Sequence, residues 1–413
     1  MALIVQKYGG TSIANVEKIR HVANIIAKHK KEGDDIVVVV SAMAGETDRL
    51  VKLASSIMDP PDERELDVIT SSGEQVSSGL LALRLKAQGH DSISYQGHQI
   101  RILTDSVYSK AKIKNIDAKN IRKAIANGKV VVVAGFQGVD DEGNVTTLGR
   151  GGSDLTAVAL ASVLGADSCE LYKDDVDGIY TADPGICTKA RKIKKVSYEE
   201  MLELASLGSR VLQARAVEFA KKYKVKLHVR PTAKPNAEGT WVVKEEEAMD
   251  SMENILISGV TYDKNQAKIT VIQVPDQPGI AAKLFSPLAD KGINIDMIVQ
   301  NISSDGLTDM TFTVPKSDFK QSIKITKEIA IKLGAREVVS DDKISKVSIV
   351  GVGMKTHSGV AQQMFNTFAK EGINIMMIST SEIKISCVIE QKYTELAVRS
   401  LHDSFKLGKK HGK

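Results

Sequence analysis

Ile36-Val-Val-Val-Val-Ser-Ala-Met-Ala-Gly-Glu-Thr47 is the stretch on which the fold turns. Its first five residues are β-branched and show no polar alternation. Such a run suits a strand covered on both faces, as in a parallel sheet flanked by helices. The run then breaks into Ser41, small residues and Thr47, a hydroxyl-bearing loop at the carboxyl end of the strand, where open α/β sheets take their ligands. Val130-Val-Val-Val133 is a second strand of the same kind. Helical stretches at 13–31, 65–88 and 117–127 lie between and around these runs. Ser153-Asp154 precedes the apolar run LTAVALASVLG, so a helix opens there and Gly165 ends it. A strand at 169–172 follows. The first half therefore reads as an α/β domain of three layers, αβα.

Beyond residue 230 the texture changes. Pro231, Pro235 and Gly239 interrupt the rhythm, and the acidic run 245–247 reads as linker or solvated surface. The chain then repeats itself. PGIAAKLFSPLADKGINIDMIVQ (278–300) aligns with SGVAQQMFNTFAKEGINIMMIST (358–380), ten of 23 positions matching without a gap. Each copy reads strand, glycine loop, helix, glycine, strand, which is half of a βαββαβ ferredoxin-like α+β unit. Two readings stay open: a pair of small-molecule-binding modules, or duplication for packing alone.

Composition narrows the function. Of 413 residues, 42% are hydrophobic and 26% charged, which excludes a disordered or collagenous chain and is long enough for two or three domains. Aromatics are only 4%, and 56 basic residues stand against 51 acidic ones, with no basic block interleaved with aromatics. Nucleic acid is therefore not an expected partner. Cys169, Cys187 and Cys387 are scattered and odd in number, so reduced thiols are expected and no metal site. The N-terminal MALIVQKYGG has no basic n-region and no long apolar core, and no run reaches the ~20 apolar residues of a membrane span, so a cytoplasmic protein without a membrane partner is expected.

Four glycine- or hydroxyl-rich sites carry the chemistry. Lys7-Tyr8-Gly9-Gly10-Thr11-Ser12 follows a strand; the glycines let backbone approach an anion, and a lysine at a strand end neutralises phosphoryl charge. The plain alternative is a tight turn with a solvated lysine. Gly149-Arg150-Gly151-Gly152-Ser153-Asp154 opens a helix, where Arg150 can hold a carboxylate and Asp154 can orient a lysine or carry a metal. The alternative there is an ordinary N-cap after a flexible loop. Ser41 to Thr47 and Ser71-Ser-Gly-Glu74 place hydroxyls and a carboxylate at a strand end and a helix start. The acidic segment 173–184 lacks the register of an EF-hand, and a nucleotide loop with Tyr180 near the base is the better reading. No GxxxxGK[ST] sequence is present, so a Walker P-loop is excluded.

Taken in order, KYGGTS, VVSAMAGET, SSGE, LGRGGSD, DVDGIYTADP and YEEMLELASLGSRVLQ resemble the aspartate kinase family of the amino-acid kinase superfamily. QPGIA, GINIDMIVQN, SGVAQQMF and GINIMMISTSEIKIS resemble its tandem ACT domains. The resemblance runs over nearly the whole chain and is to the monofunctional form. It implies an amino-acid kinase fold at 1–245 and ferredoxin-like ACT domains at 262–340 and 341–413, able to interleave. It also implies ATP-dependent phosphorylation of the side-chain carboxylate of L-aspartate, with Mg²⁺, as the first step toward lysine, threonine and methionine. Feedback inhibition by lysine, threonine or both, and a homo-oligomer assembled through ACT domains or dimers, go with it.

The roles carried over are these. Lys7 stabilises the transferring phosphoryl group, and Asp154 orients Lys7 or the magnesium. Thr47, Glu74, Arg150, Gly151, Gly152 and Ser153 hold aspartate, Glu74 by its ammonium and Arg150 by its α-carboxylate. Lys7, Tyr8, Gly9, Gly10, Ser41, Lys173, Asp174, Asp175, Tyr180, Asp183 and Arg210 surround the nucleotide. Effector contacts fall on Asp276, Gly279, Ile280, Ala281, Asn294 and Gln300 in one module. In the other they fall on Val360, Ala361, Asn374, Ile375, Ser381 and Glu382. Three departures stand out: one extra residue in 172–178, Gly185 where the family has an arginine, and Gly208-Ser209-Arg210 where it has Gly-Ala-Lys. Lys173 or Arg191 is the candidate replacement for the cation missing at Gly185. Two alternatives remain at this stage: another amino-acid kinase, or an amino-acid-sensing ACT protein with an impaired kinase domain.

Overall fold

The computed structural model describes residues 2–174, 176–206, 211–248, 256–302, 306–355 and 357–409. The chain forms two compact units, one of residues 1–179 with 192–253, the other of residues 180–191 with 254–413.

The first unit is built on an eight-stranded sheet. Across it run Lys195–Ser197, Thr240–Val243, Leu227–Pro231, Ser168–Lys173, Leu3–Tyr8, Asp35–Val40, Val130–Ala134 and Ser92–Tyr95. Neighbours from Leu227–Pro231 through Ser92–Tyr95 are parallel, while Thr240–Val243 joins antiparallel to Leu227–Pro231. The valine runs are central strands with Val37 to Val40 and Val130 to Val133 fully buried, which is why they show no alternation. Register levels three strand ends: Lys7 lies beside Val39 and Leu171, and Tyr8 beside Val40 and Tyr172.

Helices Val16–Lys31 and Glu63–Ala87 cover one face, packing Ile19, Val22, Ile26, Leu81 and Leu85 on Ile4, Val38 and Val132. Helix Gly152–Leu164 is buried on nearly every side. Its many small residues let it lie deep in the domain. A small sheet, ordered Ile113–Ile116, Ile102–Thr104, Gln137–Val139, Val145–Thr147, leads into the Gly149 loop.

The second unit holds two four-stranded sheets. One is ordered Ile298–Ile302, Leu307–Pro315, Gln266–Pro275, Glu337–Asp341, with helices Ile280–Ala289 and Phe319–Leu333. The other is ordered Gly259–Asp263, Ile344–Val350, Lys384–Glu390, Met377–Thr380, with helices Val360–Lys370 and Thr394–Ser404. Gly259–Asp263 precedes the first sheet in sequence yet pairs antiparallel with Ile344–Val350, so the two sheets interleave along the chain. The repeat is faithful at its turns: Gly279 (φ 87°) and Gly359 (φ 94°) each precede a helix in the left-handed conformation.

Residues 180–191, which the sequence places inside the first 245, pack in this second unit. Ala182 and Cys187 join a core with Ile257, Val347, Phe368 and Leu401. Thr181 Oγ1 hydrogen-bonds His402 Nε2 at 2.9 Å, and the Arg191 Nε–H donates to the Leu407 carbonyl at 2.8 Å. Among the described residues no helix is long and apolar enough to cross a membrane.

Candidate active site

The carboxyl ends of the central strands gather three charges, Lys7 and Asp154 buried and Lys173 partly so. Lys7 Nζ lies 2.6 Å from Asp154 Oδ1, and Lys173 Nζ lies 2.9 Å from Asp154 Oδ2. Lys7 comes from the end of strand Leu3–Tyr8, Lys173 from the end of the adjacent parallel strand, and Asp154 from the first turn of helix Gly152–Leu164. Burial pulls the Lys7 ammonium below its usual range, against the attraction of Asp154. Burial also pushes the Asp154 carboxyl up, but Lys173 and Lys7 on either side overcome that and hold it well below the carboxylate range. Two lysines against one carboxylate leave a net positive charge in a dry site, an arrangement suited to a dense anion such as a triphosphate. Gly9 borders the cluster, since a Cβ there would stand 3.6 Å from Lys7 Nζ.

A second polar group faces the same strand ends. Glu74, on the buried face of helix Glu63–Ala87, is 3% exposed. Its Oε1 accepts the Ala42 N–H at 2.9 Å, while Oε2 is buried without a hydrogen-bond partner among the described residues. Burial pushes this carboxyl up to about 7, with the Ala42 N–H and Lys7 opposing. A buried, unpartnered carboxylate oxygen is a ready place for a ligand's ammonium. Close packing holds this wall together. A Cβ on Gly73 would lie 2.7 Å from that of Ala42, and one on Gly10 would lie 2.6 Å from the Ala42 carbonyl oxygen.

The third wall is the loop before helix Gly152–Leu164. Gly149 (φ 74°) and Gly151 (φ 69°) flank Arg150, which is exposed and makes no ion pair among the described residues. Ser153 is buried against Gly135, whose Cβ position would fall 2.8 Å from Ser153 Cβ. Phe136 adopts φ 69°, a strained value for a bulky residue, and its carbonyl accepts the Leu148 N–H at 2.8 Å. Thr47 is half-buried on the first turn of helix Glu46–Ser55, and Ser41 sits at the end of the valine strand, accepting Ser77 Oγ–H with its carbonyl.

The expected residues thus divide. Lys7, Asp154 and Lys173 form one cluster, and Gly9, Gly10, Ser41 and Glu74 line the strand ends with them. The Tyr8 ring is turned away: it is fully buried, stacked on Tyr172 at 4.7 Å, and its hydroxyl donates to Gln6 Oε1 at 3.1 Å. Asp174 is already engaged, accepting Ser12 Oγ–H at 2.9 Å and Lys18 Nζ–H at 2.6 Å. Tyr180 and Asp183 lie in the segment that packs in the second unit, where Asp183 accepts the Tyr262 hydroxyl at 2.9 Å and the Gly185 N–H at 2.8 Å. Arg191, bound to the Leu407 carbonyl, belongs there too. Asp175 and Arg210 lie outside the described residues. Sequence reading missed Lys18 and Thr232, which with Ser12 anchor the loop around Asp174, and Asp67, which ties the arginine loop to the Glu74 helix.

In the second unit a surface cleft of about 580 Å³ brings together Val360, Ala361, Ser381 and Glu382, beside His357 and Met354. Asn374 is exposed nearby in sequence and Ile375 half-buried. In the first module Gly279 and buried Ile280 occupy the matching turn, with Asp276, Ala281, Asn294 and Gln300 exposed.

Comparison with known proteins identifies the domains. The Amino acid kinase family matches residues 2–231, and ACT domain families match 268–330 and 347–405. The aspartokinase of Pseudomonas aeruginosa is 55% identical over 407 residues, covering 98% of each chain. That of Corynebacterium glutamicum is 46% identical over 411 residues, covering 99% of this chain and 97% of its own. Aspartate kinase from Synechocystis superposes with a TM-score of 0.55 at 41% identity, over all of this chain and 70% of that one. Aspartokinase III of E. coli, in complex with aspartate and ADP, shares the fold with a TM-score of 0.79 at 24% identity, over 97% of this chain and 99% of its own. With a kinase domain followed by two ACT domains, and with such identity along its whole length, the chain belongs to the aspartokinase family and is an aspartate kinase.

Proposed function

We propose that the enzyme transfers the γ-phosphoryl group of ATP to the side-chain carboxylate of L-aspartate, giving 4-phospho-L-aspartate and ADP. This would be the entry step to lysine, threonine and methionine. The observation that supports it best is the pairing, at one end of the sheet, of the Lys7–Asp154–Lys173 cluster with the open oxygen of Glu74. The cluster suits phosphates and Glu74 suits an α-ammonium. Arg150, exposed and flanked by glycines, suits the α-carboxylate.

The chemistry asks little of a general base. The nucleophile is a carboxylate, ionised at neutral pH. Its oxygen forms the new P–O bond as the bond to the ADP oxygen breaks, so positioning and neutralisation carry the barrier lowering. Asp154 pairs with both lysines and aims them at the strand ends. Lys7 is placed to follow the charge of the moving phosphoryl group, and Lys173 to hold the phosphate chain in place of the arginine missing at Gly185. Among the described residues both Asp154 oxygens lie within ion-pair distance of a lysine and both Asp174 oxygens accept hydrogen bonds, so Asp154 Oδ1, which makes no hydrogen bond, is the acid oxygen of the cluster that would be left for magnesium. Its other ligands would come mainly from the nucleotide, and no step is assigned to it.

The ACT modules would bind lysine, threonine or both, with the 580 Å³ cleft as one candidate pocket, in a homo-oligomer. Coupling needs only about 1–3 kcal/mol of differential binding. An ATP-dependent aspartyl hydroxamate assay, run with and without lysine and threonine, tests both halves. No hydroxamate at saturating aspartate and Mg-ATP refutes the reaction; hydroxamate formation indifferent to both amino acids refutes the effector assignment.

A further inference from the structure

Asp67 is a buried carboxylate, 1% exposed, in helix Glu63–Ala87, and it has no cationic partner among the described residues. Its donors are neutral. The Thr147 N–H donates to Oδ2 at 2.8 Å and Thr147 Oγ–H to Oδ1 at 2.6 Å. The Ser109 N–H donates to both oxygens, at 2.9 and 3.1 Å, and the Ser109 hydroxyl reaches Oδ1 at 3.3 Å. Both donor residues belong to the scaffold of the Arg150 loop. Thr147 is three residues before Arg150. Ser109 holds a left-handed φ of 62° and presses its carbonyl against Gly149, where a Cβ would stand 2.9 Å away. Leu148 is pinned as well: its N–H donates to the Phe136 carbonyl at 2.8 Å and its carbonyl accepts Arg215 Nη1–H at 2.8 Å. At the other end, Glu74 follows Asp67 by two helical turns on the same buried face.

We propose that Asp67 is a positioning residue for the amino-acid end of the substrate, setting the distance between the loop that carries Arg150 and the helix that carries Glu74. The proposal rests on the reading that these two residues hold aspartate. Only a carboxylate serves here, because an Asn would turn an N–H donor toward the donors of Ser109 or Thr147.

The test is steady-state kinetics on the full chain. Asp67→Asn is expected to raise the KM for L-aspartate about tenfold or more, with the KM for ATP and the kcat at saturating aspartate changing by less than about twofold. Arg150→Ala alone is expected to raise the same KM, and Asp67→Asn added to it is expected to raise it less than about twofold further, since the loop then has nothing to position. Equal rises in both KM values, a fall in kcat alone, or the same multiplier with and without Arg150 overturns the proposal. An Arg150→Ala variant with an unchanged aspartate KM instead overturns the reading beneath it. If Asp67→Asn does not fold, Thr147→Val removes a single donor and is expected to raise the aspartate KM about threefold, again alone. No change in that variant refutes the positioning role.

Discussion

Glu74 offers a test in which stability and activity must move together. The carboxyl is 3% exposed, keeps one hydrogen bond from the Ala42 N–H at 2.9 Å, and leaves Oε2 unpartnered among the described residues. Burial raises it from 4.5 to about 7. The folded chain therefore holds this proton more tightly than the unfolded one. The stability tied to it is fully present below pH 4.5, declines as pH rises and is lost above 7. At about 1.4 kcal/mol per unit the loss is about 3 kcal/mol. Glu74→Gln removes the titration but keeps an acceptor for Ala42. Urea unfolding from pH 4.5 to 8 is expected to show the variant gaining about 3 kcal/mol on the parent chain across that window. Activity runs the other way. An ammonium seated on Oε2 needs the ionised form, so kcat/KM for aspartate in the parent is expected to fall nearly tenfold per pH unit below about 7. In Glu74→Gln it is expected to be low and flat. Two parallel stability curves, or an aspartate profile without a break near 7, would refute the reasoning from burial.

Other substitutions test the remaining walls. Lys7→Met is expected to cut kcat by about 10²–10³ while the aspartate KM holds, as for loss of one charge-stabilising group; a change confined to KM contradicts that role. Gly73→Ala forces a Cβ to within 2.7 Å of Ala42 Cβ and is expected to cost about 1–3 kcal/mol, whereas Gly79→Ala on the same helix meets nothing within 4 Å and is expected to gain about 0.5–1 kcal/mol. Equal thermal shifts for the two glycines rule out the steric account. In the second unit Lys346 is buried and paired with half-exposed Asp296, so Asp296→Ala, which strands the buried ammonium, is expected to destabilise by about 3–5 kcal/mol and Lys346→Met by much less. The opposite order in urea unfolding overturns this.

The layers of the fold were legible because burial on both faces erases alternation, and the β-branched runs at 36–40 and 130–133 record that directly. The strand at 36–40 and the helix opening near Ser153 appear as Asp35–Val40 and Gly152–Leu164. The repeat at 278–300 and 358–380 was readable from identity alone, and both copies place a left-handed glycine before a helix. Two features were not. Gly259–Asp263 completes the sheet of the second module from upstream of the first, and nothing local in a five-residue strand says which of two similar sheets it joins. Residues 180–191 read as a loop of the first unit because they follow its strand. Their burial with Phe368 and Leu401 depends on apolar partners nearly two hundred residues downstream, which sequence order hides.

The site shows the same division between local and distant causes. Lysines at strand ends and glycines at helix mouths are local signals, and the structure brings Lys7, Lys173, Gly9 and Gly10 together at one end of the sheet. Tyr8 was drawn in with Lys7 because the two are adjacent, yet consecutive residues of a strand point to opposite faces. Lys7 thus reaches Asp154 while Tyr8 stacks on Tyr172 beneath the sheet. The oxygens of Asp174 accept from Ser12 and Lys18, 162 and 156 residues away, partners that local sequence does not announce. Asp67 left no trace at all. In a first turn and a half that also carries Glu63 and Glu65, one more acid reads as a partner for the helix dipole. Its donors sit 42 and 80 residues on, at Ser109 and Thr147. Signals at element ends are local and can be read in the sequence; what spaces those ends is written in the tertiary contacts, and Asp67, a buried carboxylate whose donors among the described residues are all neutral, belongs to the second kind.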